Sequence, residues 1–156
     1  MSDTSLTIEN ILAPELTLCR APASSKKRVL EFIAEQINQQ DASLSETQIF
    51  NNLISRERLG STGIGQGIAI PHCRLDGLER VVGVLLTLEE GVGFDAIDNQ
   101  PVDLVFALIV PREATSEHLE LLSQLAEKFN DRGFCDRLRQ CTDAQSLYSR
   151  MLDGNS

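Results

Sequence analysis

Long hydrophobic runs are missing from this 156-residue chain, and nothing in it approaches the ~20 apolar residues that a membrane-spanning helix needs. Its opening residues, MSDTSLTIEN, lack the basic stretch followed by an apolar one that marks a secretory signal. A cytoplasmic chain with no membrane insertion is expected. Cations are also scarce, with 14 Lys and Arg against 23 Asp and Glu, for a net charge of −9. Nucleic-acid binding draws its affinity from Lys and Arg that neutralise phosphates, so this balance argues against it. A protein partner with a basic face suits such a field better. No two of Cys19, Cys73, Cys135 and Cys141 have Cys-x-x-Cys spacing, which argues against a zinc cage or a thioredoxin-type pair. Four reduced thiols are expected.

Apolar content of 42% with 24% charged residues is that of a soluble globular chain. No repeat or linker divides it, so residues 1–156 read as a single domain with a core from about 6 to 152. The ends, to about Leu6 and from Asp153 on, read as frayed. Between them helical and extended signals alternate. Leu16 and Leu18 mark a short strand-like run. Ser24-Ser25 can cap a helix carrying Val29, Leu30, Ile33 and Ile37 at helical spacing. Ser45-Glu46-Thr47-Gln48 forms a capping-box pattern before a second helix with Phe50, Leu53 and Ile54. Two nearly continuous apolar runs, 81–86 and 102–110, read as central strands covered on both faces, with a turn at 98–101 before the second. Ser116 is placed to cap a third helix with Leu119, Leu122, Leu125, Ala126 and Phe129. Thr142-Asp143-Ala144-Gln145 opens a last one with Leu147, Tyr148 and Met151. Strands interleaved with helices predict an α/β fold with helices on both faces of a sheet.

Residues 60–67 hold four glycines, Gly60, Gly63, Gly65 and Gly67, before Ile68-Ala69-Ile70-Pro71-His72. Such a density permits positive φ and close backbone approach. It is not a P-loop, because Gln66, not Lys, follows Gly65. Nor is it a dinucleotide fingerprint, because these glycines follow a helix and lead into a strand. The chain has only two histidines, His72 and His118. His72 is expected to end the apolar strand, stiffened by Pro71. His118 falls in the first turn after Ser116, near the positive end of the helix dipole. Imidazole is nucleophilic near neutral pH, and phosphoryl transfer asks mainly for in-line positioning and positive charge around the transferring oxygens. Arg56 or Arg58, His118 and backbone N–H groups of the loop are the candidates to supply that charge, arginine best through its planar fork.

The thirteen residues from Gly60 to His72 resemble the phospho-acceptor motif of type-2 (mannitol/fructose) IIA proteins of the bacterial phosphotransferase system. The stretch from Phe94 to Leu108 resembles their nitrogen-regulatory branch, as does the length of the chain. The resemblance runs from about Leu6 to Leu152. It implies a sandwich with a mixed central sheet, no cofactor, and phosphorylation of His72 through Nε2 by an HPr-like phosphocarrier. It places the motif's arginine on Arg56 rather than Arg58, and on His118 a second active-site histidine that stabilises the phosphorylated form. It also implies regulated target proteins, in potassium transport (transporters or sensor kinases) or in nitrogen and carbon regulation. One departure stands out: the family usually has glycine after Pro-His, and this chain has Cys73, read as a tolerated small side chain. Competing readings are a sugar-specific IIA that passes phosphate to a fructose or mannitol permease, and a binding module that moves no phosphate. A metal site of His72, Cys73 and His118 is weaker, because neighbours in an extended run point to opposite faces.

Overall fold

The computed structural model describes residues 7–113 and 116–153; of the ends read as frayed, the residues up to Leu6 and from Gly154 on lie outside them, whereas Asp153 is the last residue of a helix. The elements in order are α1 (Ile8–Ile11), β1 (Leu12–Ala21), α2 (Lys26–Gln40), α3 (Glu46–Leu59), β2 (Gly63–Gly65), β3 (Ile68–Ala69), β4 (His72–Leu75), β5 (Val82–Val92), β6 (Val102–Pro111), α4 (Ser116–Phe129), α5 (Arg132–Arg139) and α6 (Ala144–Asp153). The sheet is mixed, with order β1-β5-β6-β3-β2 and β4 also on β6. Strand β5 runs antiparallel to β6, while β1 lies parallel to β5, and β3 and β4 parallel to β6.

The predicted central strands are β5 and β6. Strand alternation along β6 divides the core in two. Val105, Ala107 and Ile109 face one side with Val29, Ile33, Ile49 and Leu53 of α2 and α3. Leu104, Phe106 and Leu108 face the other, with Leu121, Leu125, Phe134 and Leu147 of α4, α5 and α6. Helices therefore cover both faces, as the pattern of the sequence predicts.

Several boundaries differ, each for a local reason. Strand β1 is ten residues long, but two register shifts against β5 break its alternation and hide it from a period-two reading. Helix α5 was not expected; only Phe134, Cys135 and Leu138 of its eight residues are buried, and Asp131 caps it by accepting from the Phe134 N–H. Ser25 and Ser45 cap α2 and α3, whereas the cap of α6 is Asp143 rather than Thr142, through the Ser146 N–H at 2.7 Å. Ser116 is the first residue of α4; the contacts of its side chain, expected as a cap, lie outside the described residues.

Candidate functional site

His72 opens a strand instead of closing one. Strands β3 and β4 pair with β6 in one unbroken register, Ile68 with Leu104, Ala69 with Val105, His72 with Leu108 and Cys73 with Ile109. They are separate strands only because Ile70-Pro71 interrupts them. Pro71 has no N–H to donate, though its carbonyl still accepts from the Leu108 N–H at 2.8 Å. The Ile70 carbonyl accepts from the His72 ring instead, with Nδ1 2.8 Å away. A carbonyl oxygen can only accept, so the proton sits on Nδ1 and the lone pair of the neutral imidazole sits on Nε2. Burial pushes the His72 pKa below its ordinary value; the bond to Ile70 opposes this, Arg56 adds to it, and Glu57 opposes it.

Alternation sends His72 and its neighbour Cys73 to opposite faces. His72 stands on the side of α4, in a cleft of about 530 Å³ shared with Arg56, Ser55 and Asn52 of α3 and with His118 and Leu122 of α4. A second depression, lined by Arg56, Thr62, Ile64, His72 and Leu122, adjoins it. Cys73 also borders this cleft, but it is buried with the core under α2 and α3, and burial pushes its thiol up to about 12. The thiol therefore stays protonated, a poor nucleophile or metal ligand. All four cysteines are free.

The structure thus brings His72, His118 and Arg56 to one cleft and leaves Arg58 out of it. Arg58 lines a separate groove with Lys26 and Lys27, as expected for two α3 residues about 200° apart around the axis. The Arg56 guanidinium spends one donor on the Gly60 carbonyl at 2.9 Å, which fixes it at the end of α3 with further N–H groups to offer.

The glycine segment differs from expectation. It is a β-hairpin, β2 paired antiparallel to β3, closed by Gln66-Gly67 with φ of 59° and 81°, the twist that two-residue hairpin turns require. Gly63 is needed for a different reason: a Cβ there would lie 2.8 Å from that of Ala96. The hairpin does not present a row of open amides to a phosphate. The Thr62 N–H donates to Glu57, that of Gly63 to the Ser61 hydroxyl, and that of Gln66 to Asp98.

Glu57 is the residue that sequence reasoning missed. It lies with Ile49 and Leu53 on the buried stripe of α3. Its carboxylate accepts the Thr62 hydroxyl at 2.6 Å, the Thr62 N–H at 3.0 Å and the Lys26 ammonium at 3.2 Å. A carboxylate at i+4 and i+8 in an apolar stripe was the available signal. The cleft is also rimmed by exposed apolar side chains, with Leu59 85% and Leu119 64% exposed.

Comparison with known proteins gives the family and the fold. The family model for the phosphoenolpyruvate-dependent sugar phosphotransferase system, EIIA 2, matches residues 10–153. A nitrogen regulatory protein of Pseudomonas aeruginosa is 48% identical over 146 residues, covering 94% of this chain and 95% of that one. One from Escherichia coli is 46% identical over 153 residues, covering 97% and 93%. A fructose-specific EIIA component of Haloferax volcanii is 29% identical over 90% of this chain and 91% of that one. Among solved structures, the nitrogen regulatory protein IIA-Ntr of Neisseria meningitidis superposes with a TM-score of 0.84 at 40% identity, covering 92% of this chain and 98% of that one. The chain belongs to the EIIA 2 family of the phosphoenolpyruvate-dependent sugar phosphotransferase system, in its nitrogen-regulatory branch, and is a phosphotransfer component of that kind.

Proposed function

We propose that this chain is a phosphoryl-relay and regulatory protein: it accepts phosphate on His72 Nε2 from the phosphohistidine of an HPr-like phosphocarrier and controls partner proteins by whether the phosphate is present. The observation that carries the proposal is the hydrogen bond from His72 Nδ1 to the Ile70 carbonyl. It leaves Nε2 as the nucleophile of a neutral ring. The lone pair of Nε2 attacks the phosphorus of the carrier's phosphohistidine, a new N–P bond forms, and the bonding pair of the old one returns to the carrier's imidazole. Arg56 and His118, in the same cleft, stabilise the charge on the transferring oxygens, where a preorganised donor is worth most. The exposed Leu59 and Leu119 at the mouth suit docking of a protein surface better than entry of a small polar substrate.

We propose that the regulated partners act in nitrogen, carbon or potassium control, as transporters or sensor kinases; kinship to nitrogen regulatory proteins supports the first of these. A handover to a sugar permease is the competing outcome, and the greater distance of the fructose-specific relative disfavours it. The test is reconstitution with the phosphorylated carrier and mapping of the label. We expect acid-labile, alkali-stable phosphate on His72 and none on His72→Ala. Label retained by a folded His72→Ala would overturn the proposal.

A further inference from the structure

The second groove on α3 breaks a local rule of charge placement. It has a volume of about 630 Å³ and lies between the first turn of α2 and residues 50–58 of α3. Phe50 and Ile54, one helical turn apart and both half-buried, contribute its apolar lining. Helix α2 begins Lys26-Lys27-Arg28 and has no acidic residue in its first turn, at the end where the backbone dipole already repels cations. Lys26 is compensated by Glu57 and Asp95, each at 3.2 Å. Arg28 is compensated by Glu31 at 2.6 Å and Glu35 at 3.9 Å. Lys27 and Arg58 are exposed, and among the described residues neither has an ion pair or a side-chain hydrogen bond. The groove's own carboxylates do not serve them: Glu57 is held by Thr62 and Lys26, and Asp95 by Lys26.

We propose that this groove docks an acidic segment of a partner protein, with an apolar side chain on Phe50 and Ile54 and flanking carboxylates on Lys27 and Arg58. Charge complementarity selects that occupant. A chain of net charge −9 repels acidic proteins over most of its surface, so two uncompensated cations beside an apolar strip orient such a partner onto this face. The apolar strip has no use for a bare anion. The proposal rests on the regulatory reading only in that a regulated partner supplies the segment; it needs no phosphate at His72.

The test is an NMR titration of the 15N-labelled full chain with a pentapeptide of one leucine flanked by two glutamates on each side, capped at both ends. Shifts should gather on the first turn of α2 and on residues 50–58. Charge reversal in K27E/R58E should weaken binding about tenfold or more, added salt should weaken it in wild type, and the glutamine version of the peptide should bind no better than to the reversed variant. His72→Ala should bind the peptide as wild type does, so a failure of the relay proposal and a failure of this one are told apart. Shifts centred on the His72 cleft, unchanged affinity in K27E/R58E, or the same shifts from inorganic phosphate alone would overturn it.

Discussion

The Glu57 carboxylate holds Thr62 twice, by its hydroxyl at 2.6 Å and its N–H at 3.0 Å. Through this pair the last turn of α3, which carries Arg56, is fastened to the start of the β2–β3 hairpin, whose strand β3 leads directly to His72. The same carboxylate takes the Lys26 ammonium from α2. Three separate segments thus converge on one buried acid beside the His72 cleft.

Glu57→Ala should therefore cost about 3 kcal/mol of stability. It strands two Thr62 groups that are already out of water; Lys26 keeps some access to solvent, which puts the loss at the low end for a broken buried pair. Glu57→Gln should recover part of it, since an amide oxygen can still accept one bond. Urea unfolding of the three proteins measures this. A loss under about 1 kcal/mol for Glu57→Ala would show that the hairpin is held elsewhere.

The arginines should separate kinetically. Arg56→Ala should slow single-turnover phosphorylation of His72 by roughly ten- to a hundredfold, the equivalent of one charge-assisted contact. Arg58→Ala, from the other groove, should leave the rate near that of wild type. His118→Ala should still take phosphate on His72, more slowly or with a shorter-lived product. Equal rates for the two arginine variants would refute the assignment of Arg56.

Much of the architecture was legible in the sequence because the central strands are nearly continuous apolar runs and two of the helices, α2 and α3, announce their caps. The rest was hidden by local compensation. Strand β1 lost its alternation to register shifts, and β4 was masked by Pro71, which breaks the pairing with β6 without changing its register. At the site, the motif pointed to His72, Arg56 and His118, and the fold brings them to one cleft. The glycines misled in one respect. Their density made the loop's backbone N–H groups candidates to meet a phosphate, whereas their φ angles and close contacts build a hairpin whose amides are largely spent. Glu57 was passed over as one more charge on a helix, although its place on the buried stripe gave it away.

Acid should stop the relay later than an ordinary histidine would. Burial, helped by Arg56, lowers the His72 pKa, so the ring stays neutral below the ordinary value of about 6.5. The unfolded chain takes up that proton first. His72 therefore contributes stability above about pH 6.5 that is lost as pH falls toward its lower folded value. Phosphoryl acceptance should hold through pH 6.5 and decline only beneath it. An NMR titration of the His72 ring should give a midpoint below 6.5, moved upward in Arg56→Ala. A midpoint at or above the ordinary value would contradict the buried, Arg56-facing ring.

The last expectation concerns signalling. Phosphate on His72 adds about −1.5 to −2 charge if it behaves like other protein phosphates. Added to a chain already at −9, it changes little at long range, since the Debye length is about 8 Å in physiological salt. Its effect must be local, at the cleft rimmed by Leu59 and Leu119. A regulated partner that docks on this rim should be repelled or sterically excluded by the phosphate. It should bind His72→Ala nearly as well as the unmodified protein, and bind His72→Asp or His72→Glu less well. Isothermal titration of such a partner against these forms and the phosphorylated protein decides the matter. Equal affinity for phosphorylated protein and His72→Ala would mean that the phosphate is no switch for that partner, and that toward it the chain is a relay alone.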